Sequence, residues 1–105
     1  MIAVVFEYEA EEDGREAFVH AYGPEGEWAR FFSGADGYLG TELHASLEEE
    51  RRFLVIDRWG SAEAYDGFLD ANREEYERRS RDAVSLYRSE TLIGSFERVE
   101  AGTDS

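Results

Sequence analysis

The 105-residue chain contains no cysteine and no lysine. Without cysteine there is no disulfide, no thiolate nucleophile and no cysteine-ligated metal cluster. Without lysine there is no Schiff-base chemistry and no P-loop lysine. Histidine is scarce: His20 and His44 alone leave little for a zinc site. No apolar run approaches the length that spans a bilayer. Positive charge is also scarce. Eleven arginines stand against 25 acidic residues, a formal charge of −14. That balance argues against a nucleic-acid partner, whose phosphates need clustered cations, and against an anionic membrane surface. No charged leader with an apolar core opens the chain, so no signal peptide is expected. A soluble cytoplasmic protein is the expectation.

Aromatic side chains are abundant. Seven Phe, six Tyr and two Trp are more rings than a core of this size needs. Core filling is the default role, and the surplus can line a cavity or an interface. The length suits one domain. Residues 1–97 are expected to form it, with 98–105 as the end of the last strand and a flexible tail.

Hydrophobic periodicity alternates between strand and helix. Ile2, Val4, Phe6 and Tyr8 make one apolar face of a first strand. Phe18, Ala21 and Tyr22 share a helical face, which Gly23-Pro24 ends. Trp28, Phe31 and Phe32 form an aromatic stripe at i, i+3, i+4 on a short second piece. Tyr38 to Leu47 and Arg52 to Trp59 read as a hairpin. Ser61 is a helix N-cap candidate, and a long helical pattern follows to about Asp82. Tyr87 to Glu100 reads as a last strand interrupted at Gly94. The order β-α-β-β-α-β, with a split first helix, is the α+β ferredoxin-like plan: an antiparallel sheet with helices on one face.

Hairpin register decides which side chains meet the helices. An even-numbered loop, with Leu47 opposite Arg52, places Tyr38, Gly40, Glu42, His44, Phe53, Val55, Asp57 and Trp59 on one face. That face mixes rings with two carboxylates and an imidazole, as a binding cavity does. The opposite face is apolar, and a second copy packed sheet to sheet would cover it. An odd-numbered loop would exchange one strand's list.

The segments Gly37-Tyr38-Leu39-Gly40-Thr41-Glu42, Phe53-Leu54-Val55-Ile56-Asp57-Arg58-Trp59 and Ser61-Ala62-Glu63-Ala64-Tyr65 resemble the antibiotic biosynthesis monooxygenase (ABM) family of the dimeric α+β barrel superfamily. The resemblance implies a homodimer joined through the sheet face and a pocket between sheet and helices. It also implies, among several activities, cofactor-independent oxygenation of aromatics. It matches Trp59, Tyr65 and Arg79 to family positions. The Asn that such oxygenases place earlier on the Trp strand falls near Val55 and is absent. Haem-degrading members carry an Asn on the first strand and a His on the second helix, and this chain has neither there.

These readings name the candidates. His44 or Asp57 would take a phenolic proton, with Trp59 and Tyr65 at the reacting ring. Trp28, Phe32, Tyr38 and Phe68 would hold the ring, Asn72 and Glu42 would supply polar contacts, and Arg79 or Arg30 would balance an anion. A Glu42–Asp57–His44 metal triad is conceivable on the same register, but no metal and no cofactor is expected. The functional expectation is a monooxygenase acting on a small hydroxyaromatic or quinol. The alternative is a non-catalytic dimeric module that binds a small molecule or serves a stress response. For each residue the plainer role, core packing or a surface ion pair, stands beside the functional one.

Overall fold

The computed structural model describes residues 1–100; the expected tail at 101–105 lies outside the described residues. The elements run β1 (Ile2–Ala10), α1 (Arg15–Tyr22), α2 (Glu27–Phe32), β2 (Tyr38–Ala45), β3 (Arg52–Trp59), α3 (Ala62–Ala71), α4 (Arg73–Ala83), a 3₁₀ turn (Val84–Leu86) and β4 (Tyr87–Glu97). One sheet holds the strands in the order β2-β3-β1-β4, with every neighbouring pair antiparallel. This is the ferredoxin-like α+β arrangement that the element order predicts.

Local chemistry sets the boundaries. The break between α1 and α2 requires glycine at position 26, where a Cβ would lie 2.3 Å from the His20 carbonyl oxygen and 2.6 Å from that of Ala21. Ser61 caps α3, its Oγ accepting from the Ala64 amide at 3.1 Å. The expected single long helix is two. Asn72 leaves helical geometry at φ −123°, ending α3 and preceding α4. Its Nδ2 donates to the Phe68 carbonyl at 2.9 Å, so the amide closes its own helix end.

The alternating faces of β1 sort the molecule. Val4, Phe6 and Tyr8 face the helices; Ala3, Val5, Glu7 and Glu9 face the other way. Two buried clusters fill the helix side. One centres on Tyr8, Phe18, Tyr22, Phe53 and Val55, the other on Val4, Phe32 and Trp59. Phe6 and Trp28 touch both clusters, and the site lies at this seam.

The hairpin corrects the expected register. Ala45 pairs with Phe53, so seven residues, 46–52, connect the ladder. Ser46 Oγ accepts from the amides of Glu48 and Glu49 and folds this loop. The odd count turns β2 over relative to β3. Thr41, not Glu42, lies opposite Asp57, and His44 lies opposite Leu54. A bulge at Leu39, beside Gly40 with φ +131°, returns Tyr38 to the helix side opposite Trp59. Glu42 and His44 therefore sit on the face away from the helices, and Leu43 takes the inward place.

Candidate functional site

Among the described residues Asp57 is the buried carboxyl, 7% exposed beneath the helices. Its strand position is fixed on both sides, by Val4 on β1 and Thr41 on β2. Thr41 donates to Asp57 Oδ1 at 2.6 Å, and the Tyr38 hydroxyl lies 2.5 Å from Thr41 Oγ1. Burial pushes the carboxyl up to about 6, with the Thr41 hydrogen bond opposing the shift. Among the described residues no cation pairs with the carboxyl. A carboxyl poised near neutral pH beside a cavity is suited to accept a proton.

The cavity is aromatic. Phe32 and Trp28 of α2, Tyr65 of α3 and Tyr76 of α4 line it around Asp57. Phe6 and Val55 of the sheet form its floor. Burial raises the Tyr65 and Tyr76 hydroxyls above their ordinary range, so both stay protonated donors. At the other end Tyr8, Tyr22, Tyr87 and Glu90 join the lining. The cavity volume is about 40 Å³, in a solvent-open cleft of about 520 Å³. That is room for a few waters. An aromatic ligand needs Trp28 and Tyr76, packed edge to face at 5.6 Å, to part.

Four candidate residues meet in this cavity: Asp57, Tyr65, Trp28 and Phe32. Tyr38 reaches it through Thr41. Trp59 lies fully buried behind it, packed against Phe32, Tyr38, Tyr65 and Phe68 at centroid distances of 5.3–5.8 Å. Trp59 and Phe68 support the wall without lining it. Asn72 is spent on the Phe68 carbonyl. Arg79 pairs with Glu75 at 2.7 Å and lies over the Phe31 ring, outside the cavity.

His44 and Glu42 are separated from Asp57 by the sheet. Glu42 accepts from Arg58 at 2.7 Å and meets His44 at 3.0 Å on the open face. The hydrogen bonds from Arg58 and His44 hold the Glu42 carboxyl below its ordinary value. The conceived metal triad does not form. Among the described residues no group of three His, Cys, Asp or Glu is placed to hold a metal ion. His44→Ala is expected to leave turnover of any substrate within about twofold of wild type, because its ring points away from the cavity. Steady-state rates of the variant check this.

Reading from sequence missed Thr41, Tyr8, Tyr22, Tyr76, Ser80, Tyr87 and Glu90. Tyr8 was visible on the apolar face of β1, and Tyr76 lay within the long helical pattern. Glu90 carried no local signal. It reaches the site because β4 pairs with β1 and sets it opposite Tyr8.

The sequence profile described as antibiotic biosynthesis monooxygenase matches residues 1–78. No curated protein matches the chain. Among solved structures, SnoaB from Streptomyces nogalater, described as a cofactor-independent oxygenase, superposes with a TM-score of 0.70 at 15% identity. The match covers 97% of this chain and 96% of that one. Protein PA3566 from Pseudomonas aeruginosa is similar with a TM-score of 0.65 at 19% identity, over 94% of both chains. Protein SO0527 from Shewanella oneidensis is similar at 0.65 and 21% identity, over 95% of this chain and 92% of that one. At these identities the structural likeness speaks for the fold.

Proposed function

The chain belongs to the antibiotic biosynthesis monooxygenase family, and from that premise we propose that it is a cofactor-independent monooxygenase acting on a small hydroxyaromatic or quinol. The observation that carries the reading is Asp57, a buried carboxyl held near 6 inside an aromatic cavity. SnoaB, described as a cofactor-independent oxygenase, shares the fold and adds support.

In this reading Asp57 takes the proton of a substrate hydroxyl. Thr41 occupies Oδ1 and leaves Oδ2 for the incoming hydrogen bond. Tyr65 and Tyr76 donate to the aryloxide that forms, since no arginine lines the cavity. The electron-rich anion passes one electron to dioxygen, and the radical pair combines at a ring carbon. One oxygen atom stays on the product and the other leaves as water, the substrate supplying both electrons and both hydrogens. The burial of Asp57, 7% exposed, keeps bulk water from the carboxyl that takes the proton. Oxygen uptake with hydroquinones, anthrone-like tricycles and flavonoids tests the reading. Protein-dependent uptake that survives a chelator is expected. No uptake from ligands that bind would leave a binding module instead.

The protein acts as a homodimer in this proposal. The open sheet face carries Val5 and Ile56 at its centre, Phe96 on the β4 edge strand, and Arg58–Glu42 and Arg52–Glu7 pairs toward the β2 side and one end. Phe96 is 53% exposed, far more than a monomer gains from. A face with apolar centre and both charges at its margin is self-complementary under a two-fold axis. Sedimentation is expected to give twice the 12.0 kDa chain mass. A Phe96→Asp/Ile56→Asp variant is expected to sediment as a folded monomer. A wild-type monomer at micromolar concentration would refute the dimer.

A further inference from the structure

The far end of the cavity is unused by the proton transfer at Asp57. There Tyr8 of β1 donates to Glu90 Oε2 of β4 at 2.6 Å. Tyr87 approaches Glu90 Oε1 at 3.4 Å, and Ser80 of α4 lines the same cavity. Glu90 is exposed, so this end meets solvent. The cavity thus has a carboxyl at each end, with aromatic rings and the neutral hydroxyls of Tyr65 and Tyr76 between. No arginine or histidine lines it. Arg79, the cation nearest in expectation, is held by Glu75 and stacked on Phe31. Arg30 is exposed on α2.

We infer that the cavity is a charge-selective site, taking an uncharged aromatic with a hydrogen-bond donor at each end, one for Asp57 and one for Glu90, and excluding aromatic carboxylates. The inference rests on the cavity as the ligand site but not on oxygen chemistry. A ligand carboxylate entering here loses its water, adds a negative charge beside two carboxylates and finds tyrosine hydroxyls but no cation in return, whereas an aryloxide forms only as Asp57 is neutralised and adds no net charge. A phenolic hydroxyl instead donates to either carboxylate, a charge-assisted bond. The net charge of −14 repels anions before they arrive. Spacing adds a shape requirement. Asp57 pairs with Val4, and Glu90 pairs with Tyr8 on the other side of β1. Four residues along a strand and two strand spacings put their Cα atoms roughly 16 Å apart. A ligand that meets both is elongated, with its donors at opposite ends.

Anaerobic calorimetry at pH 7.5 tests this with 2,6-dihydroxynaphthalene, 2-naphthol and 6-hydroxy-2-naphthoate. The diol is expected to bind at least tenfold tighter than the naphthoate and several-fold tighter than 2-naphthol. Glu90→Gln and Asp57→Asn are each expected to narrow the diol-to-naphthoate ratio by threefold or more. Equal affinity for diol and naphthoate overturns the inference, as does binding of neither. A ratio unchanged in both variants, or 2-naphthol binding as tightly as the diol, also overturns it. If a variant fails to fold, the three wild-type affinities still decide. Selective binding without oxygen uptake would refute the oxygenase reading alone. Uptake without selectivity would refute this inference alone.

Discussion

Asp57→Asn is expected to abolish turnover and to stabilise the fold. The first effect follows from the proposed proton transfer. Asparagine keeps an acceptor for the Thr41 hydroxyl but cannot take a proton. General-base removal costs about 10²–10⁴-fold in rate. The second effect follows from the environment of the carboxyl. Its value is raised from 3.8 to about 6 by burial. The folded state therefore holds the proton more tightly than the unfolded chain. The stability this gives is fully present below about pH 4 and is lost as pH rises through 6. At pH 8 the ionised group costs the fold on the order of 3 kcal/mol. Asparagine carries no such cost, so the variant is expected to melt higher than wild type at pH 8 and close to it at pH 4. Paired melting curves at the two pH values, with initial rates, check both parts. A variant that keeps turnover, or one whose melting temperature tracks wild type across pH, would contradict the assignment. A gain in stability at the expense of activity is the trade expected of a strained functional group.

Phe18→Ala is expected to be the most destabilising single change outside the site. Phe18 is fully buried on α1. Its ring stacks on Tyr22 at 4.4 Å and 14°, on Phe53 at 5.0 Å, and tilts against Tyr8 at 5.3 Å. It joins the helix to the middle of the sheet, where no other side chain can collapse into the gap without dragging those rings. Phe→Ala in such a place costs about 3–5 kcal/mol. That is a large share of the roughly 5–15 kcal/mol that holds a domain together. In a chain of this length the melting temperature is expected to fall by roughly 15–30 °C. Leu47→Ala is the matched control. Leu47 is fully exposed in the β2–β3 loop, and its loss is expected within about 0.5 kcal/mol. A Phe18→Ala protein that melts with wild type would show that the aromatic cluster does not hold the fold.

The elements were legible because strand and helix periods are local. The alternation Ile2–Val4–Phe6–Tyr8, the Trp28–Phe31–Phe32 stripe and the Ser61 cap each need only neighbouring residues. The faces of β2 were not legible, because they hang on one residue of register. A loop organised by the Ser46 hydroxyl and a bulge at Leu39 moved His44 and Glu42 out of the site and brought Thr41 in. Asp57 survived that slip because its own face is set by β1, not by the loop. Glu90 was invisible for a different reason. Its partner Tyr8 lies 82 residues away, and only the return of β4 beside β1 joins them. Arg79 shows the limit of carrying a position across a family. The arginine is present, but Glu75, four residues earlier on the same helix, claims it.

The most direct test of the central claim is the pH dependence of oxygen consumption by the wild-type protein with a quinol, in chelator, corrected for the protein-free rate. If Asp57 is the base, kcat/KM rises through an inflection near 6 to a plateau, and Asp57→Asn removes the protein-dependent rate. Uptake that is flat across that range, or that persists undiminished in Asp57→Asn, would contradict the account.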